Sequence, residues 1–480
     1  MDAHDEPALR EPTLAEALLP PLSAVVLLGV GYGYLGLRVE ALLLLSTLIA
    51  GLVARRMGAD WARLERAIVA KISEALPAML ILVAVGFMIG AWMVAGTVPL
   101  LIHLGLRVID PRFVVVTAFV FTAIVSTVTG TSWGAIGTAG VALIGVAEGL
   151  GAPLPATAGA IVSGAYFGDK LSPLSDTTNL APLAAGTDLY AHIRQLLYTS
   201  VPATLLALVV YLVAGLTHAQ VQTQADLASV DAMVGALERS CELHWLLGLP
   251  PLVVFLAAVR RRPPVPTMLL GGALALVLAF ALDPDLARLG PALEAVVGGP
   301  QVETGHPALD SLLARGGMMS MTGPILLVLC AYAFAGVVGE IGCLRVLSTR
   351  LLEAVKDSQR GLMLSTSAST LAVALVTGDA YLAILLPGEL FREAYPARGL
   401  DPKNLSRILE DSGTVVMPLI PWAVSCAYVS ESLGVSVFDY GPWAVFCYLG
   451  LALSVAYAVT GIAVAPLPQL PEGRSVPSVD

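Results

Sequence analysis

Three long stretches without a charged residue constrain this chain most. Residues 75–106, 113–147 and 149–168 contain no Asp, Glu, Lys or Arg. A helix needs about 20 apolar residues to cross a bilayer, so each stretch is long enough to do so. The chain is 57% hydrophobic and 13% charged, whereas a soluble domain has about 25% charged residues. The sequence therefore predicts a polytopic membrane protein and excludes one large soluble domain or a disordered chain.

Composition and short patterns exclude several other classes. The five cysteines are odd in number and lack paired spacing, so no disulfide scaffold is expected. The net charge of −10 offers no basic face, and we expect no nucleic-acid partner. The patterns H-E-x-x-H and G-x-x-x-x-G-K-S/T are absent, so zinc proteolysis and ATP hydrolysis by a P-loop lack their usual residues. Residues 1–19 are acidic, so no cleaved signal peptide is expected.

Hydropathy and loop charge predict ten spanning segments in the lipid bilayer. Cytoplasmic loops carry an excess of Lys and Arg, and the segments 55–71, 260–262 and 345–360 are basic. The loops 217–242 and 283–316 are rich in acidic residues and are expected outside. The predicted spans are 17–35, 38–54, 75–96, 155–187, 192–216, 243–259, 264–282, 317–341, 403–435 and 441–466. The tails, residues 1–16 and 467–480, are then both cytoplasmic.

Two more apolar stretches, 113–149 and 361–395, are each interrupted by a polar segment that contains glycine. The interruptions are Thr129-Gly130-Thr131-Ser132 and Thr377-Gly378-Asp379. Basic residues flank both ends of the second stretch, which predicts a re-entrant hairpin that enters and leaves on the cytoplasmic side. The first stretch is expected to be a hairpin from the outer side. A single spanning helix there would instead place every later loop on the opposite side of the membrane.

The two halves of the chain then match in the order of their segments. Residues 17–216 and 243–466 each contain five spans and one hairpin, and an odd number of spans inverts the second half. The tripeptide Val-Thr-Gly occurs at corresponding places, 128–130 and 376–378, although chance Thr-Gly pairs are an alternative explanation. The predicted fold is an all-α polytopic membrane protein with an inverted repeat and discontinuous helices, an architecture typical of secondary transporters.

The densest polar cluster in an apolar setting lies at residues 168–179. It holds two carboxylates, four hydroxyls and an amide within twelve residues. Pro173 breaks the helix, and irregular backbone at membrane depth exposes carbonyls and helix ends that bind ions. Oxygen ligands without a nearby Cys or His favour a hard monovalent cation over zinc or copper. A sodium site is therefore expected here.

The second half supplies a related cluster at residues 410–414, with Asp379 expected to point into the same region. A low dielectric disfavours a charged carboxylate, so a buried one binds a proton or a sodium ion but not both. That competition suffices for antiport. The candidate exchange carboxylates are Asp169, Asp411 and Asp379, and Lys170 could neutralise one of them when no ion is bound.

Less specific explanations exist for several of these residues. Asp169 and Lys170 could pair with each other, and Glu410 could pair with Arg407 on a helix surface. Asp176 could cap the helix that follows it. Residues 130–134 also fit the pattern G-x-S-x-G, so an intramembrane serine hydrolase that uses Ser132 is a remote alternative, although it lacks a nearby His base.

Residues 164–181, Gly-Ala-Tyr-Phe-Gly-Asp-Lys-Leu-Ser-Pro-Leu-Ser-Asp-Thr-Thr-Asn-Leu-Ala, closely resemble the central motif of the NhaC family of Na⁺/H⁺ antiporters. Residues 402–422 resemble its second motif, and the two interruptions also fit. The likeness spans about 75–466. It implies a bacterial inner-membrane antiporter of the ion transporter superfamily that exchanges Na⁺ or Li⁺ for H⁺, needs no cofactor beyond these ions, and works as a homodimer.

One departure bears on the transported species. Family members carry Asn-Thr after the Pro-Trp of the second motif, but Ala423-Val424-Ser425 follow Trp422 here. The likeness extends to malate–lactate exchangers, so organic-anion exchange coupled to sodium and protons is the alternative function. The predicted ion-binding residues are Asp169, Asp411, Asp379, Thr129, Ser132, Ser172, Ser175, Asp176, Thr178, Asn179, Thr377, Glu410, Ser412 and Thr414, with Lys170 as their charge partner.

Overall fold

The described part of the chain is helical almost throughout. The computed structural model describes residues 9–219, 224–241, 243–260, 262–284, 287, 289–300, 310, 313–314, 316–355 and 357–468. These residues contain no β-strand, and only Leu400 and Pro466 form an isolated antiparallel bridge. Most of the predicted tail 467–480 and part of the predicted loop 283–316 lie outside the described residues.

Helices of the first half run up to residue 240. They are α1 (Leu14–Val26), α2 (Val39–Arg56), α3 (Trp61–Val94), α4 (Thr97–Val108), α5 (Val114–Thr129), α6 (Ser132–Ala135), α7 (Val141–Gly149), α8 (Leu154–Leu171), α9 (Asp176–Ala185), α10 (Leu189–Ala219) and α11 (Gln224–Ser240). A π-helical turn, Leu27–Tyr32, continues α1, and a second one, Ile136–Gly140, joins α6 to α7.

The second half repeats much of this order. Its helices are α12 (Leu249–Val259), α13 (Pro264–Leu282), α14 (Leu289–Gly298), α15 (Thr322–Ile341), α16 (Cys343–Ala354), α17 (Gln359–Thr377), α18 (Ala380–Phe391), α19 (Ala394–Ala397), α20 (Pro402–Gly413), α21 (Val424–Leu433), α22 (Val437–Tyr440) and α23 (Val445–Thr460). The order of elements is the same in both halves: a long helix, a short helix, a helix pair broken at Thr-Gly, and a second broken pair. These are α3, α4, α5 with α6, and α8 with α9 in the first half, and α15, α16, α17 with α18, and α20 with α21 in the second.

Several of these helices are suited to a lipid bilayer. Among the described residues, six helices are long and apolar enough to cross a membrane, or up to nine if each bent pair is one span. The chain is therefore a multi-pass helical membrane protein. The ten spans, the orientation of the termini and the inversion of the second half stay predictions, because length and apolarity do not fix the direction in which a helix crosses.

Both predicted interruptions are helix breaks in the structure. Gly130 ends α5 with φ +69°, and Gly378 ends α17 with φ +64°. Glycine adopts this left-handed conformation without the steric cost that a Cβ atom brings, which suits it to the end of a helix. The arms on either side of each break contact one another, α5 with α6 and α17 with α18.

Each of these two glycines packs against the break in the next discontinuous helix. A Cβ atom added to Gly130 would lie 2.5 Å from the Cβ atom of Leu174, between α8 and α9. One added to Gly378 would lie 3.2 Å from the Cα atom of Ala423, between α20 and α21. In both halves, the glycine at the end of one helix therefore contacts the break of the next discontinuous helix. This contact positions the polar residues described below.

Several of the predicted loops contain helices. Helix α3 begins at Trp61, so most of the basic segment 55–71 is helical. With 34 residues it is about 51 Å long, well beyond the roughly 30 Å hydrocarbon core, so its first turns can carry charge. The predicted external loops contain the end of α10, α11 and α14. Helix α16 occupies much of 345–360, because it buries Cys343 and Leu344 on one face while its charged residues line the other.

Candidate ion-binding site

The break between α8 and α9 is the structural centre of the site. Helix α8 ends at Leu171, and Ser175 caps α9, its hydroxyl accepting a hydrogen bond from the Thr178 backbone N–H. The Thr178 hydroxyl donates to the carbonyls of Asp169 and Lys170, at 3.2 and 3.1 Å. These bonds tie the end of one helix to the beginning of the next. Asp176 follows this cap, and its carboxylate accepts a hydrogen bond of 2.8 Å from the Thr177 N–H in the first turn of α9.

Asp169 lies in the last turn of α8 and is 7% exposed. Its Oδ2 atom accepts a hydrogen bond of 2.8 Å from the Ser132 hydroxyl, at the beginning of α6. Its Oδ1 atom has no hydrogen-bond partner in the described structure, and no Lys, Arg or His of the described ranges forms an ion pair with it. A nearly buried carboxylate with one free oxygen can accept a proton or a small cation.

Lys170, the next residue, forms an ion pair with Asp411 of α20. Both side chains are at most 1% exposed. The Thr199 hydroxyl of α10 donates to the same Asp411 oxygen at 3.1 Å, and the Phe446 ring lies 5.5 Å from the lysine nitrogen. The pair links the first and second halves of the chain. It also shows that Asp169 and Lys170 do not pair with each other.

Glu410 is fully buried beside this ion pair. Its Oε1 atom accepts a hydrogen bond of 3.3 Å from the Thr177 hydroxyl, and Oε2 has no partner among the described residues. Arg407 instead donates to the carbonyl of Ala463 at 2.8 Å, so the predicted pair of Glu410 with Arg407 is not formed. Glu410 therefore joins Asp169 as a second buried carboxylate without a cationic partner in the described structure.

Asp379 has a different environment at the tip between α17 and α18. Its Oδ1 atom accepts from the backbone N–H groups of Tyr381 and Leu382, at 2.7 and 3.2 Å, and so caps α18. Its Oδ2 atom accepts from the Tyr332 hydroxyl at 2.9 Å. Both oxygens have partners, which leaves Asp379 less free to bind an ion than Asp169. The hydroxyl of Tyr381 donates to Asp176 and connects this tip to α9.

Most of the predicted hydroxyl and amide ligands form hydrogen bonds with backbone groups a few residues away in the chain. Thr129 donates to the Val125 carbonyl and Thr377 to the Val373 carbonyl, both at 2.8 Å. Ser172 accepts from the Leu174 N–H, and Asn179 donates to the carbonyls of Pro173 and Ser175. Ser412 shares a hydrogen bond with Ser367, whereas the hydroxyl of Thr414 has no partner in the described structure.

The structure adds residues that the sequence did not single out. Thr199 bonds to Asp411, Tyr332 to Asp379, and Tyr381 to Asp176. A lone hydroxyl in an apolar helix is common and carries no local signal, so only the distant acidic partner identifies it. Among the described residues no group of three or more His, Cys, Asp or Glu is placed to hold a metal ion.

Ser132 is not placed as a hydrolase nucleophile would be. Its hydroxyl donates to a carboxylate, and the buried His192 is bonded to Ser406 instead, at 2.8 Å. Carboxylates and one lysine at the breaks of discontinuous membrane helices are typical of the sites of secondary transporters.

Comparison with known proteins gives the family. The model of the Na⁺/H⁺ antiporter family matches residues 164–462, and the chain belongs to this family. An uncharacterized Na⁺/H⁺ antiporter of Haemophilus influenzae is 42% identical to it, over 95% of this chain and 98% of the relative. The Na⁺/H⁺ antiporter NhaC of Alkalihalophilus pseudofirmus is 40% identical, over 88% and 90%. The malate-2H⁺/Na⁺-lactate antiporter of Bacillus subtilis is 34% identical, over 94% and 96%.

These matches confirm the resemblance to the NhaC family that the central motif indicates. The match begins at Gly164 and therefore includes the whole break between α8 and α9. The protein is a secondary transporter and not an enzyme, so the hydrolase alternative is wrong.

Proposed function

We propose that this protein exchanges Na⁺, or Li⁺, for H⁺ across the bacterial inner membrane by alternating access. Membership of the Na⁺/H⁺ antiporter family supports the reaction type. The buried, partly unsatisfied carboxylates support a site at which the two ions compete. An inner-membrane location, cytoplasmic termini and a homodimer belong to the same proposal.

The observation that carries the proposal is the contrast between Asp169 and Asp411. Asp411 is held by Lys170 and Thr199, so its charge is already compensated. Each carboxylate has one oxygen without a hydrogen-bond partner in the described structure, but Asp169 accepts its hydrogen bond from the neutral hydroxyl of Ser132 and not from a cation. A desolvated carboxylate without a cation is unstable in its charged form, and it regains stability by binding either H⁺ or Na⁺. Asp169 is thus the exchange carboxylate in this proposal.

Oxygen atoms close to Asp169 would complete the sodium site. Ser132 contributes a hydroxyl oxygen, and the break between α8 and α9 brings several polar groups to the end of α8. Glu410, with its own free oxygen, is the second candidate proton carrier. Hard cations such as Na⁺ prefer oxygen ligands of this kind. The ion pair of Lys170 with Asp411 would hold α8 against α20 while the ion exchanges.

The test is a transport assay in proteoliposomes that contain a pH-sensitive dye. An acid-inside gradient is imposed and Na⁺ is then added outside. We expect alkalinisation of the lumen that depends on Na⁺ and is lost in Asp169→Asn. Asp439→Asn, an exposed change of the same kind, is the matched control and should transport normally. Sodium-dependent alkalinisation that persists in Asp169→Asn would refute the assigned role of Asp169.

The second candidate function is sodium- and proton-coupled exchange of organic anions. It is favoured by the identity of 34% to a malate-2H⁺/Na⁺-lactate antiporter. An anion site needs a fixed cation or helix N-termini that face the substrate. Lys170 is the candidate cation, but Asp411 already neutralises it, so the geometry favours cation exchange. Counterflow of radiolabelled malate against lactate, in liposomes that show no sodium response, would support the alternative.

A further inference from the structure

An open cavity of about 580 Å³ lies between α10 and the beginning of α20. Arg194 and Lys403, one from each helix, line it together with Gln195 and Tyr198. None of its lining residues belongs to the carboxylate site described above. It is therefore a separate feature, for which transport of the ions gives no explanation.

The charges around this cavity favour an anion. Lys403 lies 3.1 Å from the carboxylate of Asp401, which offsets its charge. Arg194 is exposed, and its side chain forms no ion pair within the described ranges. One positive charge is thus left uncompensated. Asp401 also caps α20 and accepts a hydrogen bond from the Lys403 N–H, so the uncompensated charge of the cavity is that of Arg194.

The cavity borders an apolar surface. Tyr198 is 55% exposed and Leu197 is 42% exposed. Exposed apolar side chains continue along α10 at Val201, Leu205, Leu206, Val209 and Val213. Such an apolar surface on a membrane helix is suited to contact with acyl chains. An anion that enters the cavity from this side is therefore one that carries an apolar tail.

We propose that this cavity binds the phosphate headgroup of an anionic phospholipid between Arg194 and Lys403, with its acyl chains along α10. The basic residues 392–407 predict that this end of the helices is cytoplasmic, and basic pockets between helices on that side bind anionic headgroups.

The lipid would also support the ion pair of the carboxylate site. Helix α10 carries Thr199 and α20 carries Asp411, which are joined by a hydrogen bond of 3.1 Å. A headgroup that contacts both helices near their ends stabilises this contact. A ligand that binds only the folded state raises the melting temperature.

The experiment compares thermal unfolding in nanodiscs of phosphatidylcholine with nanodiscs that also contain phosphatidylglycerol. We expect phosphatidylglycerol to raise the Tm of the unchanged protein by about 2 °C or more. The double variant Arg194→Gln/Lys403→Gln should lose this shift. Arg56→Gln, an exposed arginine at the end of α2, is the matched control and should keep it. Equal Tm values in phosphatidylcholine alone show that the variants fold.

Other results would overturn the proposal. A shift that the double variant retains, or no shift in the unchanged protein, would show that this cavity does not recognise the lipid. Inorganic phosphate added to phosphatidylcholine nanodiscs distinguishes a free anion from a headgroup, and an equal shift with phosphate alone would contradict a lipid site. Arg194→Gln by itself keeps the test available if loss of Lys403 unfolds α20, because Arg194 is exposed.

Discussion

Replacing Lys170 by Met is the perturbation whose size the structure defines best. Lys170 and Asp411 are 1% and 0% exposed, so the change leaves a buried carboxylate without its cation. Removing one partner of a buried ion pair costs about 3–5 kcal/mol. The remaining hydrogen bond from Thr199 retains part of the stabilisation. We therefore expect the free energy of unfolding to fall by about 3 kcal/mol.

The double variant Lys170→Met/Asp411→Asn should recover most of that loss. It contains no buried charge at the pair, and the amide oxygen still accepts a hydrogen bond from Thr199. We expect it within about 1.5 kcal/mol of the unchanged protein, since neutral replacements of buried pairs are often tolerated. Denaturant unfolding in mixed micelles, followed by tryptophan fluorescence, measures the coupling. The losses of the single variants Lys170→Met and Asp411→Asn are added and compared with the loss of the double variant. Agreement to within about 0.5 kcal/mol would refute the coupling of Lys170 with Asp411.

Three further predictions concern the site and its packing. Ser132→Ala removes the hydroxyl that bonds to Asp169 and that is the proposed oxygen ligand of sodium, so the sodium concentration for half-maximal transport should rise by about tenfold or more, and an unchanged value would exclude direct participation of Ser132. Tyr381→Phe removes the bond to Asp176 and should change transport rate without lowering the Tm by more than about 2 °C, whereas a large loss of stability would indicate a purely structural role. Gly164→Ala places a Cβ atom against the Phe119 carbonyl and the Thr122 hydroxyl and should cost about 1–3 kcal/mol, while Gly323→Ala, with open space around it, should be neutral or slightly stabilising.

The sequence was sufficient to predict the places where the helices break. Thr-Gly pairs, Pro173 and the polar residues around them act through local backbone preferences, and Gly130 and Gly378 are helix ends as expected. The helices within the predicted loops could not be predicted in this way, because charged residues are common both in loops and on the exposed faces of helices. Basic residues in the first turns of α3 mark a helix that extends beyond the apolar core, not the absence of a helix.

The sequence also does not predict which residues of the site form ion pairs and hydrogen bonds with one another. Lys170 could pair with its neighbour Asp169 or with a residue far along the chain, and nothing local distinguishes these outcomes. In the structure Lys170 pairs with Asp411, 241 positions away, because α20 packs against α9 and α10, the two helices that follow α8 in the chain. Asp379 illustrates the same limit: its position at a tip predicts an ion ligand, but the sequence does not show that cap and tyrosine hydrogen bonds reach both of its oxygens.

Because Asp169 and Lys170 are adjacent in the chain, the candidate ion-binding carboxylate lies beside the ion pair that joins the two halves of the protein. Successive residues on a helix project about 100° apart, so the last turn of α8 presents Asp169 toward α6 and Lys170 toward α20. The first contact is a hydrogen bond to Ser132 and the second an ion pair with Asp411. An ion that binds Asp169 therefore acts on the same helical turn that holds the second half of the chain. In the proposed exchange of Na⁺ for H⁺, a shift of this turn would act on α20 through the ion pair of Lys170 with Asp411.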